Sequence, residues 1–552
     1  MRNISVSHKI LILISFLLIF VLCVYPYLNF FNKIFIESFN LKLIIKVFTS
    51  SMFVKALFNS LKLALLVSLL CSLVATPLAW LLTRTNLKTR QIWKKLFTLS
   101  YAIPPYLGAI AWIKLCNPSN GILNNILGVN FNIYSITGLT IVLSSFFFTF
   151  ILLNLMDTLG RMDATYEEAA LLSGSSYIGV FFKITFPLIK NSFLSGFFLI
   201  FLSVMASFGV PAIIGIPGGI FLLTTQIYTY QKLGSLSGIY MSGILAHGLF
   251  LITFVLIMIQ IYLQKKSYKL VSGKSSRLNL IKLRKSQPYI NIILFILFFI
   301  IFILPILTLL ISALSKTQGI YSFKNFTLDN FKYLFSLNET LRSFRNSLIL
   351  SSSVTLICLF LGFIFSYVVF TLGKSKKQLI NFLISLPYST PGTVLALAII
   401  FSFGGKVFGV NLGLYNTIGL IIISYIIKYL YFSFKTTEDA FYQVDISLIE
   451  AAKLSGAKWH HILIDIWYPM VKPAILASAF LIFLPALSEL TMTILLTGPG
   501  LETIGTLLFQ LQEYSDITGG TASALAIIVI LLIMVLFLLF QLLNLVIKRE
   551  KI

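Results

Sequence analysis

The stretch "EEAALLSGSS", residues 167–176, decides the fold, because a near copy, "IEAAKLSGAK", lies at residues 449–458. A shift of 282 residues aligns 157–190 with 439–472 without a gap and gives 11 identities in 34 positions. The identical pairs are Asp157/Asp439, Asp163/Asp445, Glu168/Glu450, Ala169/Ala451, Ala170/Ala452, Leu172/Leu454, Ser173/Ser455, Gly174/Gly456, Ile184/Ile466, Pro187/Pro469 and Lys190/Lys472. Most of them are polar residues, alanines or residues with special backbone geometry, so the chain is a tandem duplication.

The composition is that of an integral membrane protein. Of the 552 residues, 58% are hydrophobic and only 11% are charged, and the mean hydropathy is +0.96. A soluble domain needs far more polar surface, so we expect membrane lipid around the chain. The net charge of +25 does not indicate a nucleic-acid partner, because the basic residues lie mostly in short loops between apolar segments.

The apolar segments predict an all-α polytopic protein. A span needs about 20 apolar residues, and this length gives twelve candidates, six in each half. They are 10–28, 58–82, 96–115, 135–156, 192–215, 241–263, 289–313, 346–371, 379–403, 414–434, 473–497 and 521–547. We therefore expect a first transmembrane half at 1–263, a basic linker at 264–288 and a second transmembrane half at 289–552.

The distribution of basic residues predicts the orientation. With a cytoplasmic N-terminus, the inside segments carry 28 Lys and Arg, and the outside loops carry 12 when Lys114, at the outer end of its span, is counted with them. The excess places both termini and both copies of the repeat in the cytoplasm. Residues 29–57, which carry four lysines on the outside, are expected to lie along the outer surface as an amphipathic segment.

Each copy of the repeat predicts a short helix that begins with a capping box. We call residues 157–190 the first knuckle and residues 439–472 the second knuckle. Thr165 lies three residues before Glu168, and Ser447 has the same spacing in the second knuckle. In a capping box the hydroxyl and the carboxylate satisfy free backbone N–H groups at a helix start. The alanine pair that follows favours continuation of the helix.

Glycine and proline predict where the knuckle helices end. Gly174 and Gly456 can adopt the left-handed conformation that terminates a helix. A second amphipathic stretch follows in each knuckle, and Pro187 or Pro469 is expected to close it before the next span. The residues predicted to shape the loops are Asp163, Pro187, Asp445 and Pro469. Each knuckle is thus expected to be a compact helix–turn–helix that docks a cytoplasmic partner.

The two knuckles resemble the EAA motif of the membrane subunits of binding-protein-dependent ABC importers. In that family the motif forms a coupling helix that sits in a groove of a cytoplasmic ATPase. By this resemblance, each knuckle would dock one of two ATPase copies, and an external solute-binding protein would deliver the solute to a permease in the bacterial cytoplasmic (inner) membrane. The coupling residues carried over are Glu168, Ala169, Ala170, Gly174, Glu450, Ala451, Ala452 and Gly456.

The resemblance also implies the type I importer permease fold and a class of solute. The fused twelve-span layout, with "SFGVPAIIGIP" and "LPALSELTMTILLTGPG", looks most like the ferric-iron permeases. Fused thiamine and aminoethylphosphonate permeases share the layout, so those and other small solutes stay open.

The sequence holds no phosphate-binding loop, which would read GxxxxGK[ST]. "GKS" occurs at 273–275 and 373–375, but Tyr268 and Val368 stand where the first glycine is needed. We therefore expect no enzymatic activity and no cofactor in this chain, with ATP and Mg²⁺ bound by the separate ATPase.

Few ionisable groups lie inside the predicted spans, where such groups are functional candidates. Glu489 could line the path or hold a polar network, and Ser207 takes the equivalent position in the first half. Lys428 is expected to extend to the interface. No cluster of His, Cys or carboxylate suggests a metal site. An ion-coupled secondary transporter, the main alternative, would need paired acids, which Glu489 lacks, and a membrane scaffold would use the knuckles for docking alone.

Overall fold

The computed structural model describes residues 6–37, 40–100, 103–128, 130–265, 281–320, 322–407, 409–514 and 519–549, so the predicted linker lies largely outside the described residues. The α-helices of the first half are Val6–Cys23, Tyr25–Asn32, Leu41–Thr49, Ser51–Arg84, Arg90–Leu99, Pro105–Cys116, Ile122–Leu127, Ile136–Arg161, Thr165–Leu172, Tyr177–Val180, Phe186–Met205, Leu223–Lys232 and Leu236–Lys265. Those of the second half are Gln287–Phe298, Leu304–Leu314, Asp329–Ser336, Asn338–Thr371, Lys374–Ser389, Gly392–Phe403, Ile418–Phe441, Ile446–Leu454, Trp459–His461, Tyr468–Leu487, Thr493–Leu496, Ile504–Glu513 and Thr521–Arg549. Two short strands, Lys406–Val407 and Val410–Asn411, pair antiparallel.

The all-helical polytopic fold is confirmed. Within the described residues, nine helices are long and apolar enough to cross a membrane, or up to eleven when each of two bent pairs counts as one span. The remaining predicted span, 96–115, is replaced by the separate helices Arg90–Leu99 and Pro105–Cys116. Pro104 caps the second of these, and two consecutive prolines without N–H groups interrupt the helical hydrogen bonds.

The corresponding span of the second half is also broken. Ser375–Ser389 and Gly392–Phe403 meet at an angle of 105°, where the sequence predicted one span, 379–403. Pro391 stands at the break and caps the following helix with an extended backbone conformation. The backbone groups released at such a break need partners within the protein, because lipid offers none.

The two halves exchange their first spans. Ile19 and Cys23 of the first helix are buried in a cluster of second-half side chains around Leu350. Conversely, Phe298 of the second half packs against Trp93 and Phe97 of the first, with ring centroids 6.4 and 5.9 Å apart. The halves are therefore interlocked rather than merely adjacent.

Small residues let the helices of each half approach closely. A Cβ added to Gly362 would lie 2.3 Å from Ser433 Oγ on the neighbouring helix, and one added to Gly196 would lie 2.7 Å from Ile151. Close backbone approach through small residues is the usual way in which membrane helices associate, since lipid provides no hydrophobic drive between them. These contacts fix the spans that carry the knuckles.

Candidate functional site

An aspartate binds the start of the first helix of each knuckle, and the predicted capping boxes are wrong, because the N-cap residues are Ala164 and Asp445 rather than Thr165 and Ser447. In the first knuckle, the Asp163 carboxylate accepts the Thr165 N–H at 3.1 Å. In the second, Asp445 is the N-cap and accepts the Ser447 N–H at 2.9 Å. An aspartate forms such a bond two residues ahead within its own turn, so the helix starts before the hydroxyl residue can act as its cap. The bond to Ser447 holds the pKa of the Asp445 carboxyl below its usual range.

Both knuckle helices end at the predicted glycine. Gly174 and Gly456 have φ angles of +84° and +82°. The Gly174 N–H donates to Leu171 O and the Ser175 N–H to Ala170 O, each at 3.0 Å. This pair of bonds is the Schellman motif, and the second knuckle repeats it. A Cβ added at either glycine would meet no atom within 4 Å, so the space beside it is open.

The knuckle surface exposes a leucine in each half that sequence reasoning did not single out. Leu172 and Leu454 occupy equivalent positions, and both are 90% exposed. A lone exposed leucine is common, but the same one repeated at the tip of two equivalent helices indicates a contact surface. The signal was available, since the pair is identical in the repeat. The predicted coupling residues surround it and are all exposed or half-buried.

An ion pair attaches the first knuckle to the membrane helices. Arg84, which is 1% exposed, places Nε 3.1 Å from Glu167 Oε2 and donates from Nη2 to Met162 O at 3.2 Å. The Thr185 hydroxyl donates to the other carboxylate oxygen of Glu167 at 2.6 Å. The sequence singled out Glu168, but its neighbour Glu167 makes the attachment. The position equivalent to Glu167 is Ile449, so the repeat gave no signal for it.

Apolar side chains attach the second knuckle. Ile449 is buried in a cluster with Phe441, Trp467 and Val471. The rings of Phe441 and Trp467 lie 4.4 Å apart. Burial of such side chains stabilises the attachment without any charge.

The sequence predicted that Pro187 and Pro469 close the second helix of each knuckle, but neither proline does so. Helical structure runs without a stop through 177–205 and 459–487, 29 residues in each half. A π-helical turn ends two residues before each proline, Phe181–Thr185 in the first half and Ile462–Trp467 in the second. The wider turn accommodates a residue that lacks an N–H and would crowd a regular helix. The predicted spans 192–215 and 473–497 therefore begin earlier and end at Met205 and Leu487.

Glu489 and Lys428 form a polar region within the second half. The Glu489 carboxylate accepts the N–H groups of Met492 and Thr493, each at 2.9 Å, and also the Thr493 hydroxyl. Lys428 was expected to extend to the membrane interface. Its ammonium instead donates to Thr390 O at 2.7 Å and to Tyr388 O at 3.2 Å. Lys428 thus satisfies carbonyls released at the 105° break. Whether Glu489 lines a path stays a prediction.

Ser207, the counterpart of Glu489, contributes its backbone carbonyl, which accepts the Thr224 hydroxyl at 2.7 Å. Its role as a path residue stays a prediction as well. Among the residues that the structure describes, no group of three or more His, Cys, Asp and Glu is placed to hold a metal ion.

The halves also meet on the side away from the knuckles. Phe208 and Tyr228 of the first half pack with Phe509 of the second, at ring distances of 6.2 and 6.1 Å. Beyond them, Lys232 Nζ lies 3.0 Å from Glu513 Oε1. A full spanning helix separates Lys232 from the linker, which puts the pair on the opposite side. This arrangement closes the junction of the halves there.

Comparison with known proteins finds the same internal duplication. The sequence profile described as "binding-protein-dependent transport system inner membrane component" matches twice, at residues 75–267 and 358–550. The matches together cover more than half of the chain, and each contains one knuckle.

Relatives that match over most of this chain are ferric transport permeases by name. The putative ferric transport system permease protein FbpB 1 of Haemophilus influenzae is 27% identical over 497 residues, which cover 87% of this chain and 76% of that protein. The ferric transport system permease protein FbpB of Actinobacillus pleuropneumoniae is 25% identical, with coverage of 87% and 70%. A solved bacterial ABC transporter involved in alginate import aligns with a TM-score of 0.40 and 19% identity, over 47% of this chain and 96% of that chain.

Proposed function

Since this chain belongs to the inner-membrane components of binding-protein-dependent transport systems, we propose that it forms the membrane path of an ABC importer for ferric iron. The family predicted from the two motifs is confirmed, and with it a multi-pass inner-membrane permease built from two fused halves. The observation that carries the proposal is the pair of equivalent knuckles, each with a capped helix, a left-handed glycine and an exposed leucine.

Ferric iron is proposed because the two relatives described above, which match over most of this chain, are ferric permeases by name. Permeases for other solutes are also similar, but over shorter stretches. The spermidine/putrescine permease PotB of Haemophilus influenzae, for example, matches over 30% of this chain at 25% identity. Thiamine, aminoethylphosphonate and other small solutes are the alternatives to be tested.

The proposed partners are two copies of a cytoplasmic ABC ATPase and a binding protein on the outer side. Both knuckles and both termini face the cytoplasm in this proposal. ATP and Mg²⁺ bind the ATPase pair, which closes and draws the knuckles together, and hydrolysis restores the first state. The bias comes from the different affinity of ATP for the open and closed ATPase pair, as any two-state coupling requires.

Transport in reconstituted vesicles tests the proposal. The chain is reconstituted with and without its ATPase, and ferric iron, supplied on the binding protein, is followed into the vesicle. We expect uptake that needs ATP, the ATPase and the binding protein together. Uptake driven by an ion gradient without the ATPase would establish a secondary transporter. ATP-driven uptake of thiamine or aminoethylphosphonate instead of iron would reject the solute alone, and ATPase binding without uptake of any solute would indicate a scaffold.

A further inference from the structure

The two knuckles are joined to their membrane helices by different chemistry at equivalent positions. Arg84 and Thr371 are each the last residue of a 34-residue helix. The shift of 282 residues relates the other positions. The first half has Arg84, Glu167 and Thr185 where the second has Thr371, Ile449 and Trp467. The first joint is ionic, and the second is apolar.

The first joint depends on a single carboxylate at close range. Arg84 is buried, and within the described part of the chain its Nη1 has no hydrogen-bond acceptor. Its charge is offset by Glu167 at 3.1 Å and, from further away, by Asp163. Removal of one partner of a buried pair leaves an uncompensated charge, whereas replacement of both by apolar residues is often neutral. The apolar joint around Ile449 has no such dependence.

The linker between the halves is attached at the same place. The Ile281 N–H donates to Arg84 O at 2.9 Å, and Ile281 O accepts the Asn86 N–H at 3.1 Å. A cavity of about 550 Å³ beside these bonds is lined by Lys282 together with Glu167 and Glu168. The first joint therefore brings together the knuckle, its membrane helix and the chain that leads to the second half.

We propose that Arg84 and Glu167 are positioning residues that hold the first knuckle in register with the membrane helices. Loss of the charge on Glu167 therefore disturbs the first half, whereas the apolar joint of the second half has no charge to lose. This inference rests on the proposed function, because it assigns these residues to the coupling of ATP hydrolysis to transport. Neutralisation of Glu167 releases the first knuckle from its helix while the ATPase still docks on both knuckles. Hydrolysis then continues without productive movement of the first half.

The ratio of ATP hydrolysed to solute transported measures this coupling. The complete complex of chain, ATPase and binding protein is reconstituted in vesicles, and both rates are measured for each variant. For Glu167→Gln, which preserves the side-chain shape, we expect the ratio to rise at least tenfold while ATPase binding stays within twofold of the parent. For the double variant Arg84→Thr with Glu167→Ile, which copies two of the three positions of the second joint, we expect the ratio to return to within threefold of the parent.

Asp329→Asn is the matched control, because Asp329 forms an exposed ion pair with Lys332 outside both knuckles, and its ratio should not change. If Glu167→Gln does not accumulate in the membrane, Glu167→Asp replaces it, with an expected rise of at least threefold. An unchanged ratio in the Glu167 variant would overturn the inference, and so would a double variant that stays uncoupled. Absence of ATP-driven uptake in the parent complex would instead reject the proposed function.

Discussion

Replacement of the two left-handed glycines offers the most direct test of the knuckles as docking sites. A residue with a Cβ costs about 1 to 2 kcal/mol in the left-handed conformation. Gly174→Ala and Gly456→Ala should therefore each destabilise the end of a knuckle helix by this amount, because both glycines have φ above +80°. If the ATPase binds only the intact knuckle shape, each substitution lowers its affinity about 5- to 30-fold.

Gly→Asn at the same positions separates strain from contact. Asparagine tolerates the left-handed conformation better than alanine does, but its larger side chain extends into open space, where no atom of this chain lies within 4 Å of the added Cβ. If the ATPase covers Gly174 and Gly456, Asn should weaken binding at least as much as Ala. If only helix geometry matters, Asn should weaken it less.

Gly234→Ala provides the control for backbone strain. Gly234 has φ +65° and equally open surroundings, but it lies between Lys232 and Leu236 on the opposite side. The assay is titration of ATPase onto the purified chain in lipid nanodiscs, followed by ATP-driven uptake. Gly234→Ala should leave both unchanged. Full ATPase affinity and uptake in the variant with alanine at both Gly174 and Gly456 would refute the reasoning.

Three further predictions concern the leucines, the broken helix and the opposite side. Leu172→Ser and Leu454→Ser should each weaken ATPase binding by about 1.5 to 3 kcal/mol, the value of one buried leucine, in the same titration, and should leave the thermal stability of the free chain unchanged. Lys428→Met should leave carbonyls at the 105° break unpaired and lower stability by about 1 to 3 kcal/mol, seen as a lower unfolding temperature in detergent. Lys232→Gln should lower stability by less than about 1 kcal/mol, because its pair with Glu513 is exposed, but should raise ATP hydrolysis in the absence of binding protein. The hydrogen bond from Lys232 to Glu513 raises the pKa of the lysine. The ion pair is therefore formed at a pH below the ordinary lysine pKa and is lost only as the pH rises through the raised pKa. ATP hydrolysis should accordingly stay constant between about pH 7 and 9.

The sequence predicted those features that depend on local backbone chemistry or on the repeat. Gly174 and Gly456 were predicted to end the knuckle helices because few other residues adopt a positive φ at low cost. The duplication and the family followed from identical residues at a constant spacing, which needs no knowledge of packing. These features lie within a few residues of each other along the chain.

The features that could not be predicted depend on tertiary contacts. Nothing in "EEAA" tells which glutamate turns inward, and the partner of Glu167 is 83 positions away at Arg84. Lys428 was wrongly expected at the interface, because the carbonyls that it binds become available only where another helix breaks. Pro187 was wrongly predicted to close its helix, because the π-helical turn before it accommodates a residue that lacks an N–H group. For Glu167 and Lys428, the partner lies far away along the chain.

The uninterrupted helices through 177–205 and 459–487 make each knuckle and its span a single lever. At about 1.5 Å per residue such a helix is about 43 Å long, so a tilt of about 5° displaces its far end by about 4 Å. The helix is continuous at Pro187 and at Pro469, so neither proline forms a hinge that would reduce this displacement. The bending must be taken up past Met205 and Leu487, where the helices give way to irregular backbone, so in the proposed importer a tilt imposed on a knuckle by the ATPase is carried to the far end of its helix.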